Sequence, residues 1–224
     1  MTSMFATVLG DDFARLHPML QKRFGVGLEA GYAVVGTGMM SSIRRGPWWT
    51  VPFLWIGWFR NILTPDIGDS VPFRIENYPY RDPFGRETVT FVREYTVRRK
   101  PTRFDATMVL NAAGDRIVDY LGTHQHLAVD LDLAVTTDGS LQLRSDAQRF
   151  YEGPLAFRFP MLFSGRAHLT ESFDDETNEF VIALEVRNRF WGFLFGYSGR
   201  FTCEFPEAVD APQRLKPVRH ELRE

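Results

Sequence analysis

The chain has 224 residues, of which 14% are aromatic and 44% apolar overall. That is enough to wall a sizeable core, which excludes wholesale disorder, and the length suits one all-β domain of roughly 200 residues. A net charge of -2 gives nucleic acid no electrostatic footing as a partner. A single cysteine, Cys203, excludes an internal disulfide and a cysteine-based zinc site.

The start, MTSMFATVLGDDF, has no basic stretch ahead of Asp11 and Asp12, so no secretory leader is predicted and the cytoplasm is the expected compartment. Residues 10–24 carry Phe13, Leu16, Leu20 and Phe24 at helical spacing. Pro18 interrupts them, which predicts two short helices meeting there. Residues 32–44 read as a first strand, in which Gly36 and Gly38 permit a bend or a close backbone approach. The uncharged apolar stretch at 46–59, bounded by Arg45 and Arg60, is too short for a membrane span of about 20 residues.

From residue 71 onward the pattern is β. Strands at 87–97, 104–110, 127–135, 141–151, 180–190 and 197–205 alternate apolar and polar side chains. Hairpins turn at Ala113–Asp115, at Asp138–Gly139 and at Asp175–Asn178. About nine strands with short turns predict a mainly β fold, an antiparallel β-barrel or strongly curved sheet of calycin or lipocalin type. N-terminal helices and an aromatic-rich cap complete it. The domain is expected to span 1–206, with 207–224 a polar, poorly ordered tail.

Most strands show one apolar and one solvated face. On the apolar rows sit polar residues: Arg93, Tyr95, Arg149, Tyr151, Asn188 and Tyr197. A buried cation needs a partner. Three readings follow for each arginine: an internal salt bridge or a side chain reaching water at the barrel mouth; a cavity cation that holds an anionic head group; or a bulge that swaps the faces. The aromatic clusters Trp48–Phe59, Phe157–Phe163 and Phe190–Phe195 either plug the barrel ends or form a portal for an apolar ligand. That portal would touch a membrane surface beside Arg44, Arg45 and Arg60.

His124 and His126 form H-x-H, followed on the same parity by Asp130 and Asp132. Such a row can share a metal or relay a proton. It lies opposite the Leu/Val row of 127–135, so a solvated face is the simpler reading, and no metal is assigned. G-x-G at 36–38 lacks the third glycine and helix of a dinucleotide loop, and no P-loop or G-x-S-x-G occurs, so no cofactor is expected.

The strings HPMLQKRFG, VPFRIENYPYRDPFGRETVTFVREY, RFDATM, DYLGTHQHLAVDLDLAV, LRSDAQRFYEG, FRFPMLFSG and FGYSGRFTCEF resemble an uncharacterised bacterial family built on a domain of unknown function. Members of that family occur alone, at the end of multi-pass membrane proteins, and behind NAD(P)-binding reductase domains of saccharopine-dehydrogenase-like type. The resemblance covers residues 5–206. It implies a reductase partner and traffic in small or lipid-like molecules, and supplies no catalytic residues.

The expectation is therefore a module that binds an apolar or amphipathic small molecule, lined by Arg93, Tyr95, Arg149, Tyr151, Tyr197 and Trp55. The rival is a cofactor-independent isomerase, cyclase or hydrolase using His124, His126 or Asp130. A third reading is a partner-binding domain that exposes the Trp segment.

Overall fold

A computed structural model describes residues 3–48, 67–97, 99–158, 165–208 and 210–224. The elements begin with helix α1 (Met4–Leu9), a 3-10 turn (Gly10–Arg15) and helix α2 (Pro18–Phe24). Ser3 caps α1, its Oγ accepting from the Ala6 amide at 3.2 Å. Pro18 opens α2 rather than kinking a longer helix. It occupies the first turn, where its missing N–H costs nothing, and His17 Nδ1 accepts from the Met19 amide at 3.2 Å.

The strands are β1 (Val34–Arg45), β2 (Gly68–Asn77), β3 (Pro79–Arg81), β4 (Glu87–Val97), β5 (Lys100–Leu110), β6 (Ile117–Leu121), β7 (Leu127–Val135), β8 (Leu141–Glu152), β9 (Leu155–Arg158), β10 (Arg166–Asp174), β11 (Glu179–Asn188) and β12 (Gly192–Glu204). All described pairings are antiparallel, in the order β10-β11-β12-β1-β2-β4-β5-β6-β7-β8-β9. A further pairing of β8 with β10, Leu143 opposite Leu169, closes the ring. Of the 12 strands among the described residues, β3 and β9 are side branches, which leaves ten around the barrel. A lipocalin closes with about eight strands, and barrel diameter grows with strand number.

The hairpin turns fall where the sequence places them. Gly114 and Gly139 take positive φ (73° and 78°), and Asn178 does so at 55°. On β1, a Cβ at Gly36 would lie 2.6 Å from Ile75 Cγ2 and 2.8 Å from Phe201 Cδ2, so only glycine lets the neighbouring strands pack there.

One end of the barrel is plugged by the helices. Phe5 packs 4.8 Å from Phe24 and 6.0 Å from Phe91, ring to ring. The His17 amide donates to the Gly139 carbonyl at 3.0 Å, and its ring stacks on Phe173 at 4.9 Å. At the other end Trp48, Phe157, Phe190 and Trp191 are exposed, while Phe195 is buried. Trp49, Phe53, Trp55, Trp58, Phe59, Phe159 and Phe163 lie outside the described residues.

The expected solvated outer face is not general. Strands β4, β5 and β6 are buried on both sides. Val109, Val118, Tyr120, Ala128 and Tyr151 form a second apolar cluster on the outer wall, and the segment after residue 206 lies across it. Tyr120 Oη donates to the Arg223 carbonyl at 2.8 Å, and Arg86 Nη2 to that of Glu221 at 2.7 Å. The Val218 amide donates to the Thr123 carbonyl at 2.7 Å. Ala211 and Leu215 are buried. The tail expected to be poorly ordered is thus a strap. Its apolar anchors are too sparse to stand out in a polar string, and its cover is made by backbone and arginine bonds.

Candidate functional site

Inward and outward faces follow from register. In β4 the row Val89, Phe91, Arg93, Tyr95 and Val97 points into the barrel. Phe73 pairs with Tyr95, and Ile75 and Phe104 flank Arg93 on the neighbouring strands. Arg93 is buried at 6% exposure, with its guanidinium carbon 4.9 Å from the centre of the Phe104 ring and 5.9 Å from that of Phe91. Those faces give it cation–π contact. Its Nε has no hydrogen-bond partner among the described residues. Burial opposes its charge, but Tyr197, Tyr95 and Asp119 outweigh that and hold its pKa above the ordinary value. It stays a cation.

Tyr95 and Tyr197 meet across the interior with ring centres 5.6 Å apart, and neither phenol oxygen finds a partner among the described residues. Burial, then the neighbouring Tyr197, pushes the Tyr95 hydroxyl well above the usual phenol range. The Tyr95 phenol therefore stays protonated and keeps an O–H to donate.

The fourth member was not selected from the sequence. Asp119 on β6 stands opposite Met108 of β5 and Val129 of β7, both core residues, and so faces inward. It is 7% exposed, with Oδ1 unpartnered among the described residues. Burial raises its carboxyl to about 7, against the pull of Arg93. The signal existed: Asp119 shares parity with Ile117 and Leu121 on a short apolar strand.

The same interior contains an arginine that is fully paired. Arg23 of α2 meets Glu171 of β10 through both carboxylate oxygens, and its Nη1 donates to Asn77 Oδ1 at 3.0 Å. Arg23 and Glu171 are both about 2% exposed. This is the internal salt bridge that the sequence assigned as one reading of Arg93; the structure places it on other residues.

Arg149 and Tyr151 are corrections. Between Leu131–Ser145 and Val129–Gln148 the partner strand β7 advances two residues while β8 advances three. This bulge reverses the parity of β8. Gln148 and Phe150 then face the interior, whereas Arg149 points outward, where its Nη1 and Nη2 donate to Asp130 at 2.9 and 2.5 Å. Tyr151 belongs to the outer cluster under the strap, with the Arg223 guanidinium 4.7 Å from its ring centre. Trp55 lies outside the described residues. Asn188 serves its own turn, its Oδ1 accepting from the Phe190 and Trp191 amides at 2.7 and 3.0 Å.

The histidine row does not assemble as a relay. His126 is buried rather than solvated. Its Nδ1 lies 2.9 Å from the Tyr151 carbonyl, 3.1 Å from Arg219 Nη1 and 3.1 Å from Glu152 Oε2, and its ring stacks on His124 at 5.5 Å. Burial alone would raise the Asp130 carboxyl, but Arg149 and then Arg116 hold it below its ordinary value. A carboxylate gripped this way is a poor proton acceptor.

Two open grooves, of about 410 and 540 Å³, share His168 and Glu185, and the core residues Leu184 and Tyr197 reach the lining of the first. Arg44 adds to the first and Asp132, Arg144 and Arg166 to the second. Their mixed charges are mutually compensating, and neither groove contains Arg93 or Asp119.

Fold and interior together define a closed antiparallel β-barrel with a helical plug and a cluster of unpartnered polar groups on its inner wall. Residues 16–201 match the family described as "Domain of unknown function (DUF4166)", and the chain belongs to it. It is also similar to "Uncharacterized protein YndH" of Bacillus subtilis (strain 168), with 31% identity over 193 residues, 86% of this chain and 93% of that one.

Proposed function

We propose that the barrel binds an amphipathic small molecule by its anionic head group, a carboxylate or phosphate, with Arg93 as the anchor. The observation that carries this reading is a guanidinium enclosed by apolar walls with no carboxylate in ion-pair contact among the described residues. An unpaired buried cation costs several kcal/mol. An anionic ligand supplies the missing partner through charge-assisted hydrogen bonds, about twice as strong as neutral ones. Tyr95 and Tyr197 supply further donors, and Phe73, Phe91 and Phe104 an apolar wall. Ten strands around the ring favour an interior wide enough for a ligand. The molecule would enter at the end opposite the helices, past the exposed Phe190 and Trp191.

The test is titration of a fluorescent fatty acid into wild type and Arg93→Leu, with the matching fatty alcohol as a neutral control. Wild type is expected to bind the acid at least about tenfold more tightly than the variant does, with the alcohol unaffected. Equal affinity of the two proteins for the acid removes Arg93 from the site.

A second reading, acid–base chemistry on such a molecule, is favoured by Asp119 and not by His124, His126 or Asp130. A carboxyl raised to about 7 is matched to proton transfer near neutrality.

A further inference from the structure

We infer that the molecule anchored by Arg93 carries a second polar group, a hydroxyl, that donates a hydrogen bond to Asp119 Oδ1; this rests on the head-group reading above and narrows the ligand to hydroxylated apolar acids. One interior holds a buried cation, Arg93, and a buried acid, Asp119. Arg93 and Asp119 act on each other electrostatically, yet they form no ion pair. Along β4, Asp119 lies level with Val89 through Met108, while Arg93 sits four residues further on. At about 3.3 Å per residue that offset is roughly 13 Å of strand, only partly spanned by the long arginine side chain. The two groups face a common interior without closing on each other.

Arg23 and Glu171 show what this barrel does when neutralisation is the purpose. They pair through both oxygens, with Asn77 taking a remaining donor. Asp119 has no such arrangement. Its cross-strand neighbours Met108 and Val129 are apolar, as are Ile117 and Leu121 on its own strand, and Arg93 is the charged group that acts on it. A buried carboxyl left without a donor costs roughly what a lost charged hydrogen bond costs. Two unpartnered groups of opposite character, held apart on one inner wall, fit a ligand with an acceptor for one and a donor for the other. A hydroxyl suits Asp119 better than an ammonium does, because a second cation beside Arg93 would be repelled in a medium of low dielectric.

The experiment is calorimetric titration of decanoate and a panel of hydroxydecanoates, with the hydroxyl on different carbons, into wild type, Arg93→Leu, Asp119→Leu and Asp119→Asn. At least one hydroxy acid is expected to bind wild type about tenfold more tightly than decanoate, in line with one hydrogen bond to a charged group. Asp119→Leu should bring the affinity ratio of that hydroxy acid to decanoate to about one, and Asp119→Asn, which keeps an acceptor oxygen, should retain part of the preference. If decanoate binds in an Arg93-dependent way but no hydroxy acid gains, or the gain survives Asp119→Leu, the inference about Asp119 is overturned and the head-group reading stands. If neither decanoate nor any hydroxy acid binds wild type, both are overturned.

Discussion

Inside the barrel, the Arg93 guanidinium and the Asp119 carboxyl influence each other's charge without touching. The Arg23–Glu171 pair in the same interior does touch. The contrast separates an arginine that holds the fold together from one that the fold tolerates.

That contrast predicts opposite stabilities. Arg23→Leu leaves Glu171 buried and uncompensated, at a cost of about 3–5 kcal/mol. In a chain of this size that lowers Tm on the order of 10 °C. Arg93→Leu removes a buried cation that lacks an ion-pair partner, so Tm should rise or stay level. Thermal unfolding by circular dichroism decides it. A large fall in Tm for Arg93→Leu would mean that Arg93 is structural after all.

Asp119 predicts a pH dependence. Its pKa is raised in the folded state, so the folded protein holds that proton more tightly than the unfolded chain does. The benefit is complete below the ordinary carboxylate range. It is lost as pH climbs from about 4 towards about 7, the value to which burial lifts the group. Asp119→Asn cannot ionise. The variant should therefore gain on wild type between about pH 5 and about pH 8, by an amount on the order of a few kcal/mol. Unfolding curves of both proteins at the two pH values test this; parallel behaviour would show that Asp119 titrates as an exposed carboxyl does.

The Arg149–Asp130 pair sits on the outer wall, and its loss should not reach the interior. Arg149→Ala is expected to cost roughly 1–2 kcal/mol, because Asp130 keeps Arg116 nearby at 3.6 Å. Fatty-acid affinity should remain within about twofold of wild type. A loss of binding comparable to that of Arg93→Leu would place Arg149 back in the site.

The C-terminal strap should be stabilising. Bonds from Arg223 draw the Glu221 carboxyl down to about 2. This anchor is therefore intact above the ordinary carboxylate range and loosens only as pH falls towards that value. Deleting residues 210–224 exposes Tyr120, Val118 and Tyr151, and should lower Tm and increase binding of a hydrophobic dye at neutral pH. An unchanged Tm would show that the strap adds nothing.

Much of the barrel was legible because strand alternation is a strong local signal. The rows through Phe91, Phe104, Leu131 and Ile182 and the turns at Gly114, Gly139 and Asn178 read directly from the sequence. Arg93, Tyr95 and Tyr197 read correctly as inward for the same reason. Arg149 and Tyr151 did not, because a bulge is a property of two strands in register, and nothing in SDAQRFY marks where β8 slips against β7. His126 looked solvated because its cover, including Arg219, comes from a strap 93 residues away in the chain. Asp119 and Glu171 were readable in principle, as lone acids on apolar parity, but only long-range packing distinguishes the paired one from the unpaired one.

The most direct test is the ionisation state of a bound head group. Decanoate isotopically labelled at its carboxyl carbon can be followed by NMR while pH is lowered through the range where the free acid takes up its proton. Bound at Arg93, the carboxyl resonance should stay at its ionised position in wild type and revert to ordinary titration in Arg93→Leu. A bound resonance that titrates as the free acid does, or identically in both proteins, would contradict an anionic head group held by Arg93.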